Sequence, residues 1–314
     1  MEDNRTENAG LELAVNTDFA GESTRLEQIR TTLERIAQAG FTHIHWCHEW
    51  DREYMYSPYE MQQIREWMDE YGLKSKALHS TKGSAKDVNV REAHYRKDYT
   101  SDWEYNRRAG VDLIKNRVDL AQALGATEIV LHLYVPYITI QKKPEVKEDF
   151  YACVFRSLDE LMPYCMEKNV RICIENLFDM PGEYMLEAWD RLFDRYPEEF
   201  LGLCYDTGHA NMVWREQAPE ILGRYAHRLY AVHIHDNNGM EDLHQLPFSP
   251  IGNKEGMTSV NWGGFIKGLR KIKYDKVLNF ETAPVLRTFP DKMQDEVLCF
   301  TAQVGKYFMG ELRN

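Results

Sequence analysis

Four residues able to hold a hard cation close four successive apolar runs in the second half of the chain. They are Glu175 after Arg-Ile-Cys-Ile, Asp206 after Gly-Leu-Cys-Tyr, His233 after Leu-Tyr-Ala-Val and Glu281 after Val-Leu-Asn-Phe. Runs this short, rich in aliphatic and aromatic residues, read as buried parallel strands, and the ends of such strands meet on one rim when the sheet closes. Three carboxylates and an imidazole on one rim make a mostly oxygen-donating cage. It suits one divalent ion, Mn²⁺ first and Mg²⁺ or Co²⁺ next, better than a structural zinc, which favours thiolates. Any one of the four reads equally well as a buried acid or imidazole paired with a neighbour. Together they do not, because three carboxylates buried at one rim without a cation would cost several kcal/mol or be forced to protonate.

More imidazoles end or follow other runs: His79 after Lys-Ala-Leu, His132 after Ile-Val-Leu, His209 in Asp206-Thr-Gly-His and His235 in His233-Ile-His-Asp. These can bind hydroxyls, relay protons or hold further metals. His79 and His132 are expected to take part in catalysis, since strand-end positions aim them into the mouth of a barrel. His209 and His235 are candidates for contact with substrate, and for each of the four imidazoles a structural role is the alternative. Tyr134 and Trp46 are assigned to substrate as well, with Trp50, Tyr54, Tyr56 and Tyr137 nearby; the alternative for each is core filling. His43, His45 and His48 read as strand packing or as support for the site, and Asp242 and His244 as solvated loop residues. Neither G-x-G-x-x-G, a P-loop nor G-x-S-x-G occurs, so nucleotide-dependent redox chemistry and serine hydrolysis find no support.

The elements that must position these groups follow from hydrophobic patterning. Apolar runs at Leu11 to Val15, Phe41 to Cys47, Leu73 to Leu78, Glu128 to Leu133, Val170 to Ile174, Leu201 to Tyr205, Leu229 to Ile234 and Lys276 to Phe280 are separated by helix-length amphipathic stretches. Eight such repeats predict an α/β fold, a (β/α)₈ barrel forming one domain over the 314 residues, with residues 1–10 as a loose extension. Thr24-Arg-Leu-Glu27 reads as a capping box, and Ser57-Pro58-Tyr59-Glu60 places proline at a first helical position. Gly40, Gly72 and Gly125 stand where the first three helices should stop. Val111, Ile114, Val118, Ala121 and Leu124 predict a helix between Trp103 and Leu124, and a closing helix is expected from Lys292 to Leu312. Long connections after strands 3, 4 and 7, from Ser80 to Asp102, Tyr134 to Pro144 and Asp236 to Val260, are placed to build a lid, a substrate wall or a subunit contact.

Composition narrows the partners. A formal net charge of −12 opposes nucleic acid, whose phosphates require a basic surface. The six cysteines lack C-x-x-C spacing and read as reduced packing thiols. The polar start shows no signal peptide and no apolar run reaches membrane length, so a soluble, cytoplasmic protein is expected.

The motifs Ile174-Glu175-Asn176, Tyr205-Asp206-Thr207-Gly208-His209-Ala210-Asn211, His233-Ile-His235-Asp236-Asn237 and Asn279-Phe-Glu281 resemble the xylose-isomerase-like barrel superfamily, in order and spacing over nearly the whole chain. That superfamily includes sugar isomerases, ketose 3-epimerases and the endonuclease IV type of abasic-site nuclease. The resemblance to the epimerases implies that Glu175 and Glu281 both ligate metal and act as an acid/base pair on opposite faces of a sugar. Asp206 and His233 would complete the cage and His209 would touch substrate. The stretch from Lys97 to Ala121 is also similar to the catalytic α subunits of bacterial C-glycoside deglycosidases, which implies a 3-oxo-C-glycoside substrate, cleavage of a carbon–carbon bond and a small β-subunit partner. The nuclease pattern can be filled too, by His79, His132, Glu175, Asp206, His209, His233, Asp242, His244 and Glu281, although the acidic charge opposes it. A metal-dependent enzyme that abstracts a proton beside a sugar carbonyl is therefore expected, as an oligomer, with C-glycoside cleavage as the first specific reading and isomerisation or epimerisation as the second. A noncatalytic sugar-binding or scaffold protein is the rival from another class.

Overall fold

The computed structural model describes residues 12–20, 26–48, 54–81, 97–249 and 255–313. Its centre is a closed barrel of eight parallel strands in sequence order: β1 Glu12–Asn16, β2 His43–Trp46, β3 Lys74–Thr81, β4 Glu128–Leu131, β5 Arg171–Glu175, β6 Leu201–Asp206, β7 Leu229–Ile234 and β8 Val277–Phe280. Closure is made by β1, which pairs with β2 (Asn16 opposite His45) and with β8 (Val15 opposite Phe280). Eight strands appear where eight apolar runs predict them.

Successive side chains on a strand point to opposite faces, and here the two faces bury different chemistry. Leu78, Ile129, Leu131, Ile172, Ile174, Leu203, Tyr205, Val232, Ile234, Leu278 and Phe280 face outward and share one core with the surrounding helices. Ala77, Val130, Cys173, Cys204 and Ala231 face inward and form a separate small cluster that fills the barrel. Two residues further along each of those strands the next inward position carries His79, His132, Glu175, Asp206 and His233. The apolar layer is thus the floor of a polar one. At the opposite end, buried Glu128 pairs with Lys76 at 2.8 Å and Arg171 at 2.9 Å, so the charge that closes the bottom is neutralised on the spot.

The outer layer is built from α1 Leu26–Ala39, α2 Pro58–Glu70, α3 Glu104–Leu124, α4 Tyr137–Lys142, α5 Val146–Lys168, α6 Gly182–Arg195, α7 Thr207–Val213, α8 Ala218–Arg224, α9 Trp262–Lys271, α10 Ala283–Thr288 and α11 Asp291–Arg313. Ser57 and Glu60 form a reciprocal capping box at α2 with Pro58 in its first turn. The capping box expected at Thr24 lies outside the described residues. Gly40, Gly72 and Gly125 stop α1, α2 and α3 with φ of 93°, 67° and 76°, the left-handed region that glycine enters at least cost. Among the described residues no helix is long and apolar enough to cross a membrane. All six cysteines are free thiols.

Where they are described, the long connections carry structure; residues 82–96 of the first and 250–254 of the third lie outside the described residues. β3 runs three residues past its expected end, α4 occupies part of the segment after β4, and the segment after β7 is pinned by its first residue. The buried Asp236 carboxylate accepts hydrogen bonds from the Phe248 and Val260 amides, the Ser259 hydroxyl and the Trp262 indole. An antiparallel bridge from Asp236 to Gln245 holds the same segment from the other side.

The 97–121 stretch is committed to packing. Buried Arg107 bonds Glu104, Glu160 and Ser157, while Ser157 donates to the Tyr99 carbonyl. Arg117 donates to the Ser80 carbonyl and lies over the Tyr56 ring. Gly110 lets α3 touch the incoming chain: a Cβ there would lie 2.2 Å from the Tyr99 amide nitrogen and 2.6 Å from the Asp98 carbonyl carbon. Backbone cannot step aside as a flexible side chain can. Gly110→Ala is therefore expected to destabilise the protein by about 1–3 kcal/mol, the usual cost of overpacking, measured by denaturant unfolding against the outward-facing control Glu167→Ala.

Candidate metal centre and barrel mouth

Two adjacent strand ends are locked together first. The Asn176 side chain, just past β5, accepts from the Asp206 amide at 2.8 Å and donates to the Asp206 carbonyl at 2.9 Å, which fixes Glu175 beside Asp206. Asp206 then turns strand into helix, its carboxylate accepting from the His209 amide at 2.7 Å as the N-cap of α7. The Thr207 hydroxyl donates to the His235 carbonyl at 2.8 Å and so ties β6 to β7. Gly208 leaves room for the His235 ring, since a Cβ would lie 2.1 Å from its Cε1. Asn211 donates to Asn237 at 2.9 Å. Asp206, Thr207, Gly208 and Asn211 of the D-T-G-H-A-N motif thus each have a mechanical reason to be there.

His233 Nδ1 is the meeting point. It lies 2.8 Å from Glu281 Oε2, 3.3 Å from Glu175 Oε1 and 3.8 Å from Asp206 Oδ2. One ligand atom from each of Glu175, Asp206, His233 and Glu281 falls within 4.8 Å of all the others, so the four residues singled out by strand-end position do converge. The second oxygen of each glutamate is held separately, Glu281 Oε1 by the Asn16 amide at 2.8 Å and Glu175 Oε2 by His132 Nε2 at 2.9 Å. His79 Nε2 follows at 3.2 Å from His132, giving a line of contacts from Glu175 through two imidazoles, and the Tyr134 hydroxyl reaches His132 Nδ1 at 3.2 Å.

A second cluster contains His209, His235, Asp242 and His244, again with ligand atoms within 4.8 Å of one another. His209 Nδ1 donates to the Asn176 carbonyl and His244 Nδ1 to the Glu281 carbonyl, both at 2.8 Å. Each ring is thereby turned so that Nε2 faces Asp242 Oδ2, at 3.6 Å and 3.0 Å. Anchoring one ring nitrogen on a carbonyl is how proteins present the other to a metal. His79, His132 and Glu175 form a third group.

Two sequence expectations are corrected here. Asp242 and His244 are not solvated loop residues: their side chains are 22% and 17% exposed and are drawn to His209 by the pinned β7 segment. Trp46 is not in the mouth. It is 1% exposed, faces the helices and donates its indole N–H to Tyr56 at 2.8 Å. The inward residue of that strand end is His45, whose ring meets His233 edge-on at 4.9 Å. Asn16, which orients Glu281, carried no sequence signal beyond its place at the end of the first run.

Burial and crowding set the charges. Burial pushes the Glu175 and Glu281 carboxyls up, but neighbouring His233 outweighs it, with His132 assisting at Glu175, and both stay ionised well below the ordinary carboxylate range. Burial works against a protonated His233; the Cys204 sulfur, Glu281 and Glu175 together raise it well above its usual value. Because burial pushes the Cys204 thiol up to about 12, the two carboxylates are the anions that act on His233 at neutral pH. His244, opposed by burial but bonded to Asp242, rises to about 9. These imidazolium ions balance the carboxylates wherever no metal is bound, and a divalent ion on the four groups would take over that balance and displace the His233 proton. The donor set fits such an ion.

Residues 33–300 match the family model of the xylose isomerase-like TIM barrel. An uncharacterized protein, y4fM, of Sinorhizobium fredii (strain NBRC 101917 / NGR234) is 35% identical over 263 residues, 82% of this chain and 81% of the relative. Among solved structures, a D-psicose 3-epimerase in the presence of D-fructose superposes with a TM-score of 0.70 at 16% identity, covering 95% of this chain and 99% of that one. A D-tagatose 3-epimerase-like protein gives 0.67 at 20% identity, over 96% and 98%. At these identities the two structures show a shared fold.

The cage predicts a linkage between metal and stability. Removing divalent ions with a chelator should lower the melting temperature by several degrees and adding back Mn²⁺ should restore it, since an ion at a hundredfold excess over its Kd stabilises by roughly 2.7 kcal/mol. Asp206→Ala should abolish the response. An Asp206→Ala protein that keeps both its metal content and its metal-dependent shift would remove Asp206 from the cage.

Proposed function

We propose, from the premise that this chain belongs to the xylose isomerase-like TIM barrel family, that it is a metal-dependent isomerase or epimerase that moves a proton beside the carbonyl of a small sugar. The observation that carries this reading is the pair Glu175 and Glu281. They come from β5 and β8, are separated by the two intervening strands, and meet at one cage from its two flanks. Glu175, Asp206, His233 and Glu281 would hold a divalent ion, with Mn²⁺ the best match to the donors, and the chemistry it would supply is polarisation of a carbonyl and its neighbouring hydroxyl, which makes the adjacent C–H more acidic.

The chain's own groups do the proton transfer. One glutamate, as the carboxylate, takes the proton from carbon, and the other, once protonated from the mouth, returns one on the opposite face, which inverts that centre; Asn16 orients Glu281 and His132 orients Glu175. His132 and His79 provide the route by which Glu175 exchanges its proton with the mouth. His209 and His235 line the same mouth, Tyr134 borders it, and Phe178 lies against His209 at 4.9 Å as an apolar wall for a sugar's C–H face. Expulsion of a substituent one carbon further on would turn the same first step into C-glycoside cleavage, with a β subunit as partner. The 97–121 stretch that resembles those lyases is occupied with packing α3, so the epimerase outcome is the better supported.

A second reading has its own observation. The clusters at His209/His235/Asp242/His244 and His79/His132/Glu175 would give three metal positions in all, the requirement of an abasic-site phosphodiesterase. The net charge of −12 weighs against a DNA partner. Metal analysis of protein purified without added ions or chelator separates the two: about one Mn²⁺, Mg²⁺ or Co²⁺ per chain accords with the sugar reading, two or three zinc ions with the nuclease.

Turnover in heavy water tests the lead proposal directly. Ketoses should acquire deuterium at the epimerised carbon, which a sugar-binding protein would not cause, and Glu281→Gln should slow the exchange about 10²–10⁴-fold while Glu281 bonding to Asn16 is preserved in form. Full turnover and full metal content in Glu281→Gln would defeat the assignment.

A further inference from the structure

We propose that the barrel holds a softer metal position on the floor of the cage, formed by Cys204 with Glu175 and His233, which captures thiophilic divalent ions such as zinc or cadmium and excludes the hard ion. The three residues offer a sulfur, an oxygen and a nitrogen within 4.8 Å of one another. Cys204 stands two residues before Asp206 on β6 and so points the same way, into the barrel; it is directly opposite Glu175 in the β5–β6 pairing. The Cys204 side chain is fully enclosed, with its neighbours Cys173, Val130, Ala77 and Ala231 supplying only small apolar contact below it. His233 Nε2 is buried as well and has no hydrogen-bond partner among the described residues. A thiol, a carboxylate and an imidazole with a free ring nitrogen make a zinc-type donor set, whereas the four-residue cage above is oxygen-rich.

Glu175 and His233 belong to both positions, so an ion bonded to Cys204 competes with one in the cage for the same carboxylate and imidazole. Ligation forms a metal–sulfur bond and breaks the S–H bond, the proton leaving to solvent through the mouth. Divalent zinc outranks manganese for nitrogen and sulfur donors, so a hard ion holds its place only where thiophilic ions are scarce. Cys204 would then act as the element that makes this centre sensitive to mismetallation, a property of the site that its sugar chemistry does not require. The inference rests on the reading of the cage as a hard-ion site.

The experiment is a cadmium titration of the metal-free, full-length protein, followed by the ultraviolet charge-transfer absorption of a cadmium–thiolate bond, with Mn²⁺ binding measured separately by electron paramagnetic resonance. The wild type should develop one equivalent of the band per chain and release bound Mn²⁺ as it does so. Cys204→Ser should lose the band, bind cadmium at least tenfold more weakly and still bind Mn²⁺; Cys204→Ala, which adds no hydroxyl, should do the same. Asp206→Asn should keep the band. Cadmium binding without the band in the wild type, or a band that persists in both Cys204 variants, would overturn the proposal. A Cys204-dependent band in a protein that never binds Mn²⁺ would uphold the soft position and overturn the hard cage alone.

Discussion

Three carboxylates share one buried imidazole, and everything above the barrel floor is arranged around that crowding. Glu175, Asp206 and Glu281 all lie within 4 Å of His233 Nδ1, a concentration of like charge that water would ordinarily screen and that here is largely withdrawn from water. The protein meets it with imidazolium ions held above their usual pKa and with hydrogen-bonding groups aimed at the remaining oxygens: Asn16 on Glu281, the His209 amide on Asp206 and His132 on Glu175. Such an arrangement is stable enough to fold and still poised to accept a cation, which would neutralise the carboxylates more fully than any imidazole.

The barrel makes the crowding possible because its interior is layered. Small inward residues, Ala77, Val130, Cys173, Cys204 and Ala231, leave the strands close enough to bring their next inward positions within ligand distance of each other. Larger side chains in that layer would splay the strand ends and open the cage. At the bottom, a buried charge is met where Glu128 finds Lys76 and Arg171. The same strands that isolate the site from water on their outer face therefore set its dimensions on their inner one.

Much of this was legible in the chain because two periodicities dominate it. A period of two within eight apolar runs sufficed to place Glu175, Asp206, His233 and Glu281 on one rim, and the 3.6 period with its glycine stops marked the outer helices. What was not legible depends on contacts between distant segments. Whether His45 or Trp46 turns inward depends on the register of β2 against β3, which shifts between Ile44 and Trp46. Asp242 and His244 enter the site only because Asp236 gathers amides and side chains from Phe248, Ser259, Val260 and Trp262. No local pattern announces a buried carboxylate that organises a segment through residues up to twenty-six positions away.

Asp206 connects the two halves of the mouth. Its carboxylate faces His233 in the cage and also lies 3.0 Å from His235 Nε2, whose ring stacks on His244 at 4.0 Å and 11°. His244 in turn pairs with Asp242, so a continuous path of charged and aromatic contacts runs from the glutamate pair to the second cluster. A proton or metal gained at one end must change the charge felt at the other, because the path crosses buried, low-dielectric ground where such interactions are poorly screened. The second cluster is therefore part of the electrostatic environment in which Glu175 and Glu281 sit, whether it holds an ion or a shared proton. A single-metal sugar enzyme with this mouth would use the imidazoles of that cluster to offset the carboxylates, and a three-metal enzyme would replace them with cations. Both solutions address the same excess of negative charge.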